Sequence, residues 1–407
     1  MSKYQFSKIV KFKNLFITLV WFSFFFSINL NPSEFQNFNY IDKIRIILPL
    51  ILSLIFLFYN LQRIKVKITF DYLIFYTLSF SYIFFNLFNS DNSITNIFWP
   101  LYMILGLIFL NCLEYDEKIY VSQLTIIILS LAFIFYFSLG VIDMYNKQYF
   151  HFYGIMGSSG GYSEIKNPPR SSGLARIALI VFSALALYFL NKKKNIKKKY
   201  LLLCSVTFFA TCVLIFQSRT VTFIYLTLNI LFIIFYYKKF FENKILILFL
   251  LIFPIVFNGI YFTSISIVKG DKFVGDPKNE YSFSSSDLSK LLKSSIIREQ
   301  KQNNYTSGRF DNWKKSIEII KSNIFIGYGA QSDRLYIKQS IHNASLYSYL
   351  AGGIIGFILL IIIYLRTLFF LITLLFQKNI NSFEISFNIS IIIILNLISI
   401  LKTSFAV

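Results

Sequence analysis

Apolar runs long enough to cross a bilayer follow one another along this chain with little between them. They lie at about 14–31, 44–61, 68–88, 94–113, 119–142, 172–191, 200–217, 220–237, 245–263, 345–376 and 383–401. About 20 apolar residues suffice for one helical crossing, so the runs predict an all-α polytopic membrane protein with about eleven (10–12) transmembrane helices. No soluble core could absorb that much apolar surface. Hydrophobic residues make up 56% of the 407 positions and charged residues 14%, which excludes the ordinary soluble globular class.

The formal net charge of +21 sits in short links between the apolar runs, so it points to membrane topology and not to a nucleic-acid partner. Arg63, Lys65 and Lys67, then Lys118, the block 192–199, then Lys238, Lys239 and Lys244, and finally Lys378 fall in alternate loops. The facing loop at 89–95 carries no Lys or Arg. Basic loops are retained in the cytoplasm, which places the N-terminus inside. The basic start (Lys3, Lys8, Lys11, Lys13) resembles a secretory signal but leads to Asn29–Pro32 without a small-residue cleavage site, so the first run is expected to stay as a helix. Cys112, Cys204 and Cys212 lie inside apolar runs without metal-ligand spacing, and neither a metal site nor a disulfide framework is expected.

Four regions follow: an N-terminal bundle over 1–191 with an outer loop at 143–171, central helices over 192–263, a large outer loop over 264–344, and C-terminal helices over 345–407. Both long polar segments fall on one outer face. Within the larger, 264–305 reads as loops and short helices lying against the membrane. Phe310, Trp313, Ile317 and Ile320 recur at helical spacing after a cap at Thr306 or Ser307, predicting an amphipathic helix that rests on bilayer or bundle. The run 346–376 is too long for one upright span at 1.5 Å per residue and is expected to tilt, protrude or break near Arg366. No inverted repeat of the transporter kind is visible.

Chemistry-bearing residues on the outer segments are cationic. Arg170 and Arg176 flank the start of the sixth run, Arg219 stands alone between two apolar runs, and Arg309 opens the amphipathic segment. A guanidinium is permanently charged and matches two phosphate oxygens at once, so several would suit a pyrophosphate. Arg170 and Arg176 read equally well as a solvated loop charge and a snorkelling helix end. Arg219 favours function, because a tight outer turn needs no Arg. His342, where the polar segment enters the tenth run, could accept a proton near neutral pH, although a capping or interfacial role reads as well. His151 belongs to an interfacial aromatic belt, and Gly352, Gly353 and Gly356 read as a small-residue packing stripe.

Taken in order, Arg170xxGly173, Ser218-Arg219, Gly308-Arg309 with Trp313, Gly327-Tyr-Gly329, and His342-Asn343xxLeu346 leading to Gly353xxGly356 resemble the O-antigen ligase and polymerase superfamily, most strongly over 200–365. The resemblance implies an all-helical membrane glycosyltransferase of the GT-C kind in the bacterial inner membrane, working without a cofactor or metal. It would take a glycan from undecaprenyl pyrophosphate and pass it to an acceptor sugar hydroxyl, such as one on lipid A-core. Carried over by motif, Arg219 and Arg309 would hold the pyrophosphate with Arg170 as a looser match, and His342 would act as base or orienting residue. Arg176 and Arg334 are secondary cations, while Asn343 and Trp313 would support the acceptor or the loop. Superfamily members usually continue with further helix past the equivalent of Leu401, where this chain ends at Val407.

Two alternatives stay open. A polysaccharide polymerase shares the same motifs, and ligase is preferred for the His-Asn pair. A lipid-linked oligosaccharide flippase would need charges at mid-helix depth, whereas Asp71, Arg176 and Glu384 lie near the ends of their runs.

Overall fold

A computed structural model describes residues 3–27, 40–60, 69–92, 94–147, 171–191, 196–216, 218–237, 247–269, 272–276, 279–282, 309–338, 341 and 343–376. The helices are α1 (Lys3–Ser27), α2 (Tyr40–Asn60), α3 (Phe70–Phe88), α4 (Phe98–Cys112), α5 (Tyr115–Lys147), α6 (Ser171–Asn191), α7 (Ile196–Ile215), α8 (Arg219–Phe235), α9 (Phe253–Lys269), α10 (Arg309–Ser322), α11 (Ser332–Tyr336) and α12 (Ala344–Phe376). Every apolar run up to 345–376 falls on a helix, and the run at 383–401 lies outside the described residues. Five stretches among the described residues are long and apolar enough to cross a membrane: Lys43–Asn60, Ile94–Cys112, Tyr115–Ile142, Gly173–Leu190 and Ala344–Phe370. Shorter apolar helices lie at Lys13–Phe25, Tyr200–Ile215, Val221–Ile234 and Leu248–Tyr261. Large apolar side chains such as Phe58 and Leu131 point outward, 70% and 62% exposed, as helices facing lipid require.

Among the described residues, one segment pairs as strands. Lys272–Asp276 (β1) and Asn279–Ser282 (β2) pair antiparallel, with Phe273 opposite Tyr281 and Val274 opposite Glu280. Sequence alone points to loops and short helices over 264–305, and the hairpin corrects that for this segment. Aromatic and β-branched residues on either side of Pro277, which cannot continue a helix, favour a hairpin instead.

The chain divides into two compact units. The first holds α1 to α4, the start of α5, and α10 to α12. Its helices pack α1 on α2, α2 on α4, α3 on α4, and α12 on α3. Ile17, Val20, Phe56, Phe109, Leu113 and Val121 form one buried cluster, with the Phe56 and Phe109 rings 4.8 Å apart. Ion pairs tie helices of this unit together. Lys13 on α1 meets Glu117 in the first turn of α5, where a carboxylate also suits the helix dipole. Arg366 on α12 grips Asp71 on α3 in a bidentate fork at 2.9 and 3.3 Å.

The second unit holds the rest of α5 and α6 to α9 with the hairpin. Its centre is α6, packed on α7 and α8, and Phe182, Leu174, Leu179, Ile224, Tyr225 and Leu228 are sealed from solvent. A π turn at Leu248–Ile252 precedes α9 and frees backbone carbonyls. Side chains of the neighbouring helices take them up: the Tyr225 hydroxyl donates to Leu250 O, and Thr207 Oγ1 donates to Phe249 O at 3.2 Å.

Candidate functional site

The best-defined polar architecture lies in the first unit, where α10, α11 and the start of α12 meet. It begins with a helix that breaks. At Gly353 the backbone of α12 turns to φ 60°, ψ −161°, a conformation that favours glycine. The two halves fold sharply toward each other: Ser348 Oγ donates to Gly356 O at 2.7 Å, and the Tyr349 and Phe357 rings lie 5.3 Å apart. Eight residues of straight helix would separate each pair by about 12 Å. The long run therefore breaks at Gly353 and not near Arg366, because glycine tolerates the required φ while Arg366 sits in regular helix held by Asp71. Beyond the break, 354–376 measures about 35 Å, close to the bilayer core of about 30 Å.

A break leaves helical carbonyls without their usual donors, and a passing segment supplies replacements. Tyr328 N–H donates to Leu350 O at 2.8 Å, and Gly329 N–H to Ala351 O at 2.9 Å. The segment approaches so closely that a Cβ on Gly327 would lie 2.4 Å from Ala351 O, and one on Gly329, at φ 85°, 2.5 Å from Asn86 Cα. This backbone approach is the physical reason for glycine on both sides of Tyr328. Asn89 and Asn92, just past α3, hold the strap from the other side by donating to Tyr328 O at 2.9 and 3.0 Å, and Asn92 also donates to Ala330 O at 2.8 Å.

Beyond the strap, α11 and the turn into α12 are fixed by three side chains. Trp313, on α10, buries its ring and donates Nε1–H to Ile341 O at 2.7 Å. Asp333, 5% exposed, accepts Ile341 N–H at 3.3 Å through Oδ2 and Arg334 N–H at 2.9 Å through Oδ1. Asn343 caps α12, its Oδ1 accepting Ser345 and Leu346 N–H at 3.0 and 3.1 Å. Burial pushes the Asp333 carboxyl above its usual range, against the opposing pull of the Ile341 N–H and the Arg334 guanidinium.

Beside this turn lies a largely apolar cavity of about 560 Å³, lined by Phe24, Tyr82, Trp99, Pro100, Tyr102, Met103, Gln331 and Tyr347. Its polar groups are mostly engaged with protein. Tyr82 Oη donates to Ser348 Oγ at 2.8 Å, and Tyr347 Oη accepts Gln331 N–H at 3.2 Å, Gln331 being left-handed at φ 60°.

Of the residues singled out in the sequence, the structure joins Trp313 and Asn343 around Ile341. The amphipathic helix α10 forms as expected, but its stripe is divided. Trp313 and Ile320 are buried with Ser316 against the turn and α12, whereas Phe310 and Ile317 are 54% and 41% exposed. Arg309 and Arg219 are the first residues of α10 and α8, with Ser218 preceding α8 as its N-cap; the two arginine side chains lie outside the described residues. Arg176 is exposed on α6 and Arg334 exposed on α11. Arg170, His151 and His342 lie outside the described residues. Asp333, Tyr82, Trp99, Gln331 and Tyr347 were missed. Only the closeness of Asp333 in sequence to Gly327-Tyr-Gly329 and His342-Asn343 could have drawn attention to it.

These features define a multi-pass helical membrane protein with a clamped polar turn leading into a broken helix. Residues 201–361, from α7 through the break in α12, match the O-antigen ligase family model, so the superfamily resemblance holds over that span. A protein of Haemophilus influenzae described only as uncharacterized is 27% identical over 165 residues. The match covers 37% of this chain and spans 37% of the length of that relative. No solved structure matches significantly.

Proposed function

We propose that this chain is a membrane glycosyltransferase of the O-antigen ligase type in the bacterial inner membrane, with its N-terminus cytoplasmic. The observation that carries the reading is the family match over 201–361, which includes the strap, the clamped turn and the broken helix. The donor is a glycan on undecaprenyl pyrophosphate and the acceptor a sugar hydroxyl, as on lipid A-core. The chain has about eleven spans in a GT-C-like arrangement, with 264–344 periplasmic. An apolar cavity beside the turn suits a substrate delivered on a lipid.

In the reaction, the acceptor oxygen bonds to the anomeric carbon while the bond from that carbon to the pyrophosphate breaks, inverting the centre. The hydroxyl proton passes to His342, and the lipid carrier leaves with its diphosphate. Arg219 and Arg309 neutralise the charge that builds on that leaving group, with Arg170 and Arg176 as outer contributors. A bidentate fork fits two phosphate oxygens at once. Asn343 and Trp313 hold the loop that presents the acceptor.

The test is transfer by the purified full chain, using as donor the lipid-linked glycan extracted from cells deleted for it and as acceptor the membrane extract of the same cells. Arg219→Ala, Arg309→Lys and His342→Ala should each lower the rate by about a hundredfold or more. Full activity in all three sinks the assignment. Arg309→Lys keeps the charge but loses the fork, so retention in that variant alone removes the bidentate role. A polymerase, which shares the family, would instead leave deleted cells with shortened lipid-linked chains.

A further inference from the structure

Ile341 precedes the proposed base, and both of its backbone polar groups are taken by buried side chains from separate elements. Its N–H is held by the Asp333 carboxylate on α11, its C=O by the Trp313 indole on α10, and on the far side of position 342 the Asn343 side chain caps α12. A buried backbone group needs one partner, and water or a neighbouring backbone group is the usual one. Here a carboxylate, whose burial is costly, does that work, and its second oxygen binds the Arg334 N–H within the same short helix. Such a residue fixes the α11-to-α12 turn at Ile341, one residue before the histidine.

We propose that Asp333 is a positioning residue for His342, acting through the backbone of Ile341; this rests on the function proposed above. Asp333 touches no substrate. It holds the Ile341 N–H, and Trp313 holds the Ile341 C=O, so the two clamps fix the peptide units on either side of the Ile341 Cα. Small misplacements of a reacting group cost up to about a hundredfold in rate, so loosening either clamp should lower turnover without weakening donor binding.

A double-mutant cycle with the purified chain and the extracted donor tests this. Asp333→Asn removes a carboxylate acceptor at nearly constant shape and should lower kcat by about tenfold, leaving KM for the donor and the unfolding midpoint nearly unchanged. Combined with His342→Ala it should add no further loss, since the histidine it positions is gone. Trp313→Phe, which keeps the ring and removes the donor, should behave the same way and carries the test if Asp333→Asn fails to accumulate. Full activity in both clamp variants, or losses that multiply with that of His342→Ala, would overturn the inference while leaving the proposed function standing. A fall in kcat that tracks loss of folded protein also overturns it. Full activity in His342→Ala would instead remove the base assignment itself.

Discussion

At Gly353 a single side chain decides whether the break in α12 can exist. Alanine there must adopt φ 60°, and its Cβ would sit 2.4 Å from Phe325 O, a backbone atom that cannot rotate away. Gly353→Ala should therefore cost about 2–3 kcal/mol, read as a lowered unfolding midpoint in detergent. Gly352→Ala should cost less, because its nearest neighbours are the ends of the Tyr82 and Ser81 side chains at 2.9 and 3.0 Å. Asp333 gives a second test by titration. Its carboxyl pKa is raised above the ordinary 3.8, so the folded state binds the proton more tightly than the unfolded chain. The stability it contributes is complete below about 3.8 and is lost as pH rises through the folded value. The unfolding midpoint of the native protein minus that of Asp333→Asn should fall across that window; a difference that grows with pH would contradict the burial argument.

Among the elements, α12 is the one whose reading changed most between sequence and structure. Its apolar length was plain, and so was the need for some departure from one straight span. The position of the break was not, because glycine in an apolar helix permits close packing as readily as a sharp bend. Choosing between them requires the strap at 327–329, whose N–H groups satisfy the freed carbonyls. The cap is simpler. Asn343→Ala should cost about 1 kcal/mol while Asn343→Asp is tolerated, measured as midpoint shifts, since only an acceptor at that position serves the Ser345 and Leu346 N–H groups. For α3 and α12, the Arg366–Asp71 pair is half-exposed, so a double-mutant cycle of Arg366→Leu and Asp71→Asn should show a small favourable coupling in the midpoint; strictly additive changes would show that the pair carries none.

For the whole molecule, the alternation of spans gives a checkable topology. With the N-terminus inside, the starts of α1, α3 and α5 and the end of α12 fall on one side, and the Lys13–Glu117 and Arg366–Asp71 pairs join those ends. Cysteines placed in turn near 64 and 195 of a chain lacking its native thiols should be shielded from a membrane-impermeant reagent in intact cells. Those near 155 and 290 should react; the opposite pattern would invert the topology.

The sequence by itself determined that this chain is a helical membrane protein, where its apolar helices lie up to 376, and that an amphipathic helix precedes the His-Asn motif. Those features follow from local periodicity and from the cost of leaving backbone unpaired in lipid, which each segment meets alone. Only the tertiary structure decided that α12 breaks at Gly353, that Tyr328 and Gly329 supply the missing donors, that the α10 stripe divides between packed and exposed faces, and that Asp333 and Trp313 hold the N–H and the C=O of Ile341. Each of these depends on which distant backbone group arrives to satisfy a hydrogen bond, and that is settled by packing between elements far apart in the chain.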